Sequence, residues 1–84
     1  MNYVILLTKN AKRDVEKLDG VLQKRIAKKL IYLKKDPIRL SKPLIDFEQG
    51  QYRFRVGDFR ICFDIDGNKI VIHRIRHRRE VYKI

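Results

Sequence analysis

Tyr52-Arg53-Phe54-Arg55-Val56-Gly57-Asp58-Phe59-Arg60-Ile61-Cys62-Phe63-Asp64-Ile65 is the stretch on which the fold turns. Tyr52, Phe54 and Val56 alternate with Arg53 and Arg55, and Phe59, Ile61, Phe63 and Ile65 alternate with Arg60, Cys62 and Asp64. A period of two marks a half-buried strand. Gly57-Asp58 between the runs suits a two-residue hairpin loop. Asp66-Gly67 is read as a second such loop, followed by a last strand from Lys69 to Arg76.

These loops predict a register. The first places Val56 opposite Phe59, Arg55 opposite Arg60, Phe54 opposite Ile61 and Arg53 opposite Cys62. The second places Phe63 opposite Ile70, Cys62 opposite Val71, Ile61 opposite Ile72 and Arg60 opposite His73. One face then carries Tyr52, Phe54, Phe59, Ile61, Phe63, Ile70 and Ile72, and must pack on something. The other carries Arg53, Arg55, Arg60 and His73.

Working outward, residues 2–7 hold a continuous apolar run and read as a strand buried on both faces. Thr8 is a candidate N-cap. Ala11, Val15 and Leu18 form one helical stripe over residues 9–19, with Gly20 expected to end that helix. A second helix over residues 21–35 buries Leu22, Ile26, Leu30 and Leu33, with Ala27 and Ile31 widening the stripe. Asp36-Pro37 stops it, because proline disfavours helical geometry in the residue before it. Residues 38–50 read as a loop with an extended piece over 44–47, and residues 78–84 are left unassigned. The fold class is α+β: an N-terminal strand, an antiparallel helical hairpin, then a three-stranded antiparallel meander packed on the helices. Residues 1–84 form one domain, since 84 residues support a single modest core.

Charge narrows the function. The chain has 21 Lys and Arg against 10 Asp and Glu, a net +11. Such a domain attracts polyanions. The longest apolar run, Tyr3 to Leu7, falls far short of a bilayer span. No signal peptide is apparent, so a reducing cytoplasm is the expected setting, with no membrane role. Cys62 is the only cysteine, so no internal disulfide forms. With only His73 and His77 to add, no zinc spacing exists. No metal and no cofactor are expected.

The two cations are segregated. Nine of eleven Lys lie in residues 1–42, while seven of ten Arg lie in residues 43–84. Lysine on helices serves propensity and solubility. Arginines facing each other across strands are destabilising by up to about 1 kcal/mol per pair. A solvated face whose guanidinium stems cover apolar surface is one explanation. The other is an anion site, because guanidinium forks match phosphate oxygens.

If the anion is an RNA phosphodiester, metal-free cleavage uses the adjacent 2′-hydroxyl. It needs a base for that proton, an acid for the leaving oxygen and positive charge on the phosphorane. Arg53, Arg55 and Arg60 suit the last task and not the first two, since guanidinium keeps its proton. Tyr82 can serve as base if nearby cations favour its phenolate. Imidazole can do either proton job, which makes His73 and His77 candidates. Each also has a plain structural explanation: Tyr82 as a packing aromatic, His73 as a strand residue, His77 as a solvated polar group. Cys62 is expected to be structural.

The segment Tyr52 to Ile61 resembles the Y-[RK]-x-[RK]-x-G-[DS]-[YF]-R motif of the RelE/ParE superfamily of small bacterial and archaeal toxins. His77-Arg78-Arg79-Glu80-Val81-Tyr82 is similar to that family's basic ending before V-Y. The resemblance spans essentially the whole chain. It implies a type II toxin of the RelE branch, which cleaves mRNA on the ribosome. Arg53 and Arg55 stand at the paired basic positions, Arg60 at the arginine expected to hold the scissile phosphate, and Tyr82 at the tail tyrosine. Arg78, or Arg76 by a shift in spacing, matches the tail arginine. Arg76, Arg79 and His73 join the expected RNA-binding set. Arginine where some members have lysine makes a poorer proton donor, and the chain stops two residues after Tyr82. Both departures raise the standing of His77.

The resemblance also implies an acidic antitoxin, partly disordered when alone, with ribosome and mRNA as further partners. Two other functions stay open. One is a ParE-like inhibitor of DNA gyrase with the same fold. The other is a non-catalytic module whose basic face tracks RNA or DNA phosphates.

Overall fold

The structure is a computed structural model that describes residues 3–43 and 50–81, with side chains through Arg79. Chain order is β1 (Val4–Leu7), α1 (Lys9–Glu16), α2 (Gly20–Leu33), α3 (Pro37–Leu40), β2 (Lys42–Pro43), β3 (Tyr52–Val56), β4 (Phe59–Asp66), β5 (Lys69–His77) and α4 (Arg78–Val81). The strands form one sheet in the order β1-β5-β4-β3-β2. β1 runs parallel to β5, and the other pairs are antiparallel. The α+β class and the meander are as the sequence implied.

Local chemistry sets the helix ends. Thr8 caps α1: its Oγ1 accepts from the Ala11 N–H at 3.2 Å and donates to the His73 carbonyl at 3.1 Å. The first boundary differs from expectation. Gly20 does not close α1 but opens α2, because the Asp19 carboxylate accepts from the Leu22 N–H at 2.9 Å and caps the second helix. After α2, Pro37 starts α3 with Asp36 as its cap. The expected loop over 38–50 thus contains α3 and β2; the extended piece over 44–47 lies outside the described residues.

One face of the sheet meets the helices. Ala11 of α1 and Ile26, Leu30 and Leu33 of α2 pack with Phe54, Val56, Ile61, Phe63, Ile70, Ile72 and Ile75. The apolar stripe of α2 is narrower than expected: Ala27 is exposed, and Ile31 is 64% exposed. β1 is not buried on both faces either. Ile5 and Leu7 face the core, while Val4 and Leu6 are 48% and 42% exposed. β1 lies at the sheet edge, and the helices pack on only one side of it.

The β3–β4 register matches the sequence throughout, including Arg55 opposite Arg60 and Arg53 opposite Cys62. The β4–β5 register does not. The second loop is Gly67-Asn68, so Ile65 pairs with Ile70 and Phe63 with Ile72. In both hairpins glycine takes the first loop position with positive φ, 57° at Gly57 and 60° at Gly67. That conformation, cheap only for glycine, selects the loop. A β-bulge then follows: His73 is the extra residue, and Cys62 pairs with Arg74, Ile61 with Ile75 and Arg60 with Arg76. Arg60 therefore faces Arg76, not His73.

Candidate nucleic-acid interface

The two registers line up three arginines across three strands: Arg55 on β3, Arg60 on β4 and Arg76 on β5. Side chains directly opposite on neighbouring strands have Cβ atoms about 4.5–5.5 Å apart, so the row can meet one phosphate group from several sides. The next rank holds Lys42, Arg53 and Cys62. Leu40, Lys42, Arg53, Phe54, Arg55 and Arg60 line a cleft of about 360 Å³ beside the row. Lys42 was missed in the sequence because β2 is only two residues long and carries no period.

Cys62 is 1% exposed, which fits a structural role. His73 sits at the bulge, away from Arg60. Its Nε2 lies 2.8 Å from Asp64 Oδ2, while Asp64 Oδ1 accepts from the Gln51 N–H at 2.7 Å. His73 thus belongs to a network joining β5, β4 and the entry to β3. Arg74 also has a structural partner. Its Nε and Nη2 donate to the two oxygens of Asp14 on α1, at 2.9 and 3.1 Å.

A second basic group collects at the tip of the β3–β4 hairpin. The Arg78 N–H donates to the Asp58 carbonyl at 2.6 Å, which fastens the start of α4 to the turn. Asp58, His77, Arg78 and Arg79 line an open depression of about 830 Å³. His77 pairs with Phe59, a core-facing position, and meets its ring edge-on at 5.2 Å. Strand parity therefore separates His77 from the arginine row, although it adjoins Arg76 in the chain. Its Nδ1 accepts from the Arg79 N–H at 3.1 Å. Arg78 and Arg79 are exposed. From α2, Arg25 reaches over the same turn, its guanidinium beside Gly57; no sequence pattern distinguished it from the other helix cations. Tyr82 lies outside the described residues. Among the described residues, no group of three or more His, Cys, Asp or Glu side chains could hold a metal ion.

The five-stranded sheet backed by helices has counterparts among known proteins. The family model described as ParE toxin of type II toxin-antitoxin system, parDE, matches residues 5–82. Toxin RelG of Mycobacterium tuberculosis is 31% identical over 86 residues, covering 99% of each chain. Toxin RelE3 of Methanocaldococcus jannaschii is 29% identical over 83 residues, covering 93% of each. In three dimensions the chain resembles a chain of the RelBE2 toxin-antitoxin complex of M. tuberculosis, with a TM-score of 0.82 and 30% identity over 93% of this chain and all of that one. A chain of the RelB-RelE antitoxin-toxin complex of Methanococcus jannaschii gives a TM-score of 0.71 at 25% identity, over 93% of this chain and 95% of that one. The chain belongs to the RelE/ParE superfamily of toxins from type II toxin-antitoxin systems.

Proposed function

We propose that this toxin is a ribosome-dependent, metal-independent endoribonuclease whose arginine row holds the scissile phosphate of mRNA. The observation that carries the proposal is the alignment of Arg55, Arg60 and Arg76 across three strands, with Arg53 and Lys42 in the next rank. In the reaction the 2′-hydroxyl gives up its proton and its oxygen bonds to phosphorus. The bond from phosphorus to the 5′-oxygen breaks, and that oxygen takes a proton. The products are a 2′,3′-cyclic phosphate and a 5′-hydroxyl. Charge on the phosphorane is met by guanidinium groups already in place. Arg60, in the middle of the row, has the central share of that task. Arg78 and Arg79, exposed just past the end of β5, add positive charge, and Tyr82 is assigned the proton-transfer role; His77, on the opposite face of β5 from the row, is at most a contact at its edge. His73 contributes at most an RNA contact.

The complexes formed by the similar toxins support a cognate antitoxin for this one. The net charge of +11 suits an acidic partner that folds on binding, and the setting proposed for both is the cytoplasm. The ParE description of the family match favours one second function, inhibition of DNA gyrase. Translating ribosomes with end-labelled mRNA decide between the two. Arg60→Ala should lower the cleavage rate about 10²–10³-fold, the usual loss on removing one transition-state donor. Cleavage at the wild-type rate by Arg60→Ala refutes the role of the row. No cleavage by the wild-type chain, with gyrase-dependent DNA breaks instead, establishes the second function.

A further inference from the structure

The third arginine of the row owes its place to one extra residue in β5. Continued without interruption from Phe63–Ile72, the pairing would set Ile61 against Arg74, Arg60 against Ile75 and Phe59 against Arg76. Arg76 would then share a face with the core, and Ile75 would stand in the arginine row. The bulge at His73 reverses this, since a one-residue slip moves every later side chain to the other face.

The slip also redirects the backbone. N–H and C=O groups alternate along a strand between its two sides. The Ile72 carbonyl accepts from the Thr8 N–H at 3.0 Å, so at Ile72 the backbone faces β1. In an unbroken strand the next residues facing that side would be Arg74 and Arg76. Instead the Ile75 N–H points there and donates to Asp14 Oδ2 at 2.8 Å. β1 ends at Leu7, and α1 takes over its side of β5. Asp14 supplies the acceptor that a longer β1 would have supplied, and it accepts from a residue that faces it only when the bulge is present. The same carboxylate grips Arg74, the residue paired with Cys62 just after the bulge, and is itself only 8% exposed.

We propose that Asp14 is a positioning residue: from α1 it holds the β5 bulge in the register that turns Arg76 into line with Arg55 and Arg60. This rests on the arginine row being the phosphate site. Burial of Ile75 favours the same register, so loss of Asp14 should give a mixture of the two registers and not a complete switch.

The register is read by NMR. In the bulged form Ile61 and Ile75 are a non-hydrogen-bonded pair, so their α protons are close and give a strong cross-peak. Asp14→Ala should weaken that peak and bring up one between Ile61 and Arg74. Binding of a short single-stranded RNA is measured in parallel against salt, where each phosphate contact contributes about 0.7 to the log–log slope. Arg76→Ala should reduce the slope by about 0.7. Asp14→Ala should reduce it by up to the same amount, and the double variant by no more than Arg76→Ala alone. An unchanged Ile61–Ile75 peak in Asp14→Ala, or additive losses in the double variant, overturns the proposal. If Arg76→Ala leaves the slope unchanged, the phosphate site is refuted, while the cross-peak still judges the hold of Asp14 on the bulge. Should Asp14→Ala fail to fold, Asp14→Asn keeps one acceptor oxygen. It should retain the peak but speed exchange of the Ile75 amide at least about tenfold; unaltered exchange overturns the proposal.

Discussion

Adding one methyl group at Gly50 should be among the most damaging small changes to this protein. Gly50 has a φ of 114°, a conformation that side chains bearing Cβ rarely adopt. An added Cβ would lie 2.8 Å from the Phe63 carbonyl oxygen, 3.0 Å from its carbon and 3.1 Å from its nitrogen. All three are backbone atoms of β4, which is paired on both sides and cannot give way. The same oxygen accepts from the Gln51 N–H at 3.2 Å, so moving it apart breaks the bond that leads the chain into β3. Strained backbone costs about 1–3 kcal/mol, and overpacking a further ~1–3 kcal/mol. Against a total of roughly 4–13 kcal/mol for a domain of this length, Gly50→Ala should lose about 2–6 kcal/mol. At about 4–8 °C per kcal/mol, the melting point should fall by at least roughly 8 °C. Gly67→Ala is the control: its φ is 60° but nothing lies within 4 Å, so it should lose only about 1–2 kcal/mol. Thermal and urea melts followed by far-UV circular dichroism measure both. If Gly50→Ala is no less stable than Gly67→Ala, the close approach to β4 is not rigid and the reasoning fails.

Other consequences are open to simple measurements. Ile31→Gln should change the stability to urea by no more than about 0.5 kcal/mol, whereas Leu33→Ala, two residues on, should lose about 2–5 kcal/mol; equal losses would return Ile31 to the core. Association with an acidic antitoxin should slow about tenfold or more between low salt and ~0.5 M, read by stopped-flow. A salt-independent rate would deny the charge any steering role.

Where the chain marks its own geometry, sequence reasoning reaches far. Gly57-Asp58 pins the β3–β4 register residue by residue, so the facing of Arg55 and Arg60 follows from alternation alone. The β4–β5 register was not legible in the same way. Asp66-Gly67 and Gly67-Asn68 are both acceptable loops, and nothing in His73-Arg74 announces a bulge. Its anchor, Asp14, lies 60 residues from Arg74 in the chain and looks like any charged residue on a helix. Periodicity likewise overstated burial: Ile31 falls within the apolar arc of α2, yet a helix resting on one sheet buries a narrower strip. The arginine row was therefore two-thirds visible, with Arg60 correctly central and its β5 neighbour misassigned from Arg76 to His73.

The bulge makes β5 two half-strands of opposite parity. Lys69 to Ile72 serve the scaffold by pairing with β1, and the half from Arg74 to His77 carries Arg76, the β5 member of the proposed phosphate site. Point substitutions can retune either half without disturbing the other. Gaining or losing a single residue between them would turn the second half over at one stroke, exchanging its outward cations for its inward isoleucine. The length of that joint is therefore under tighter constraint than the identity of the residue that fills it.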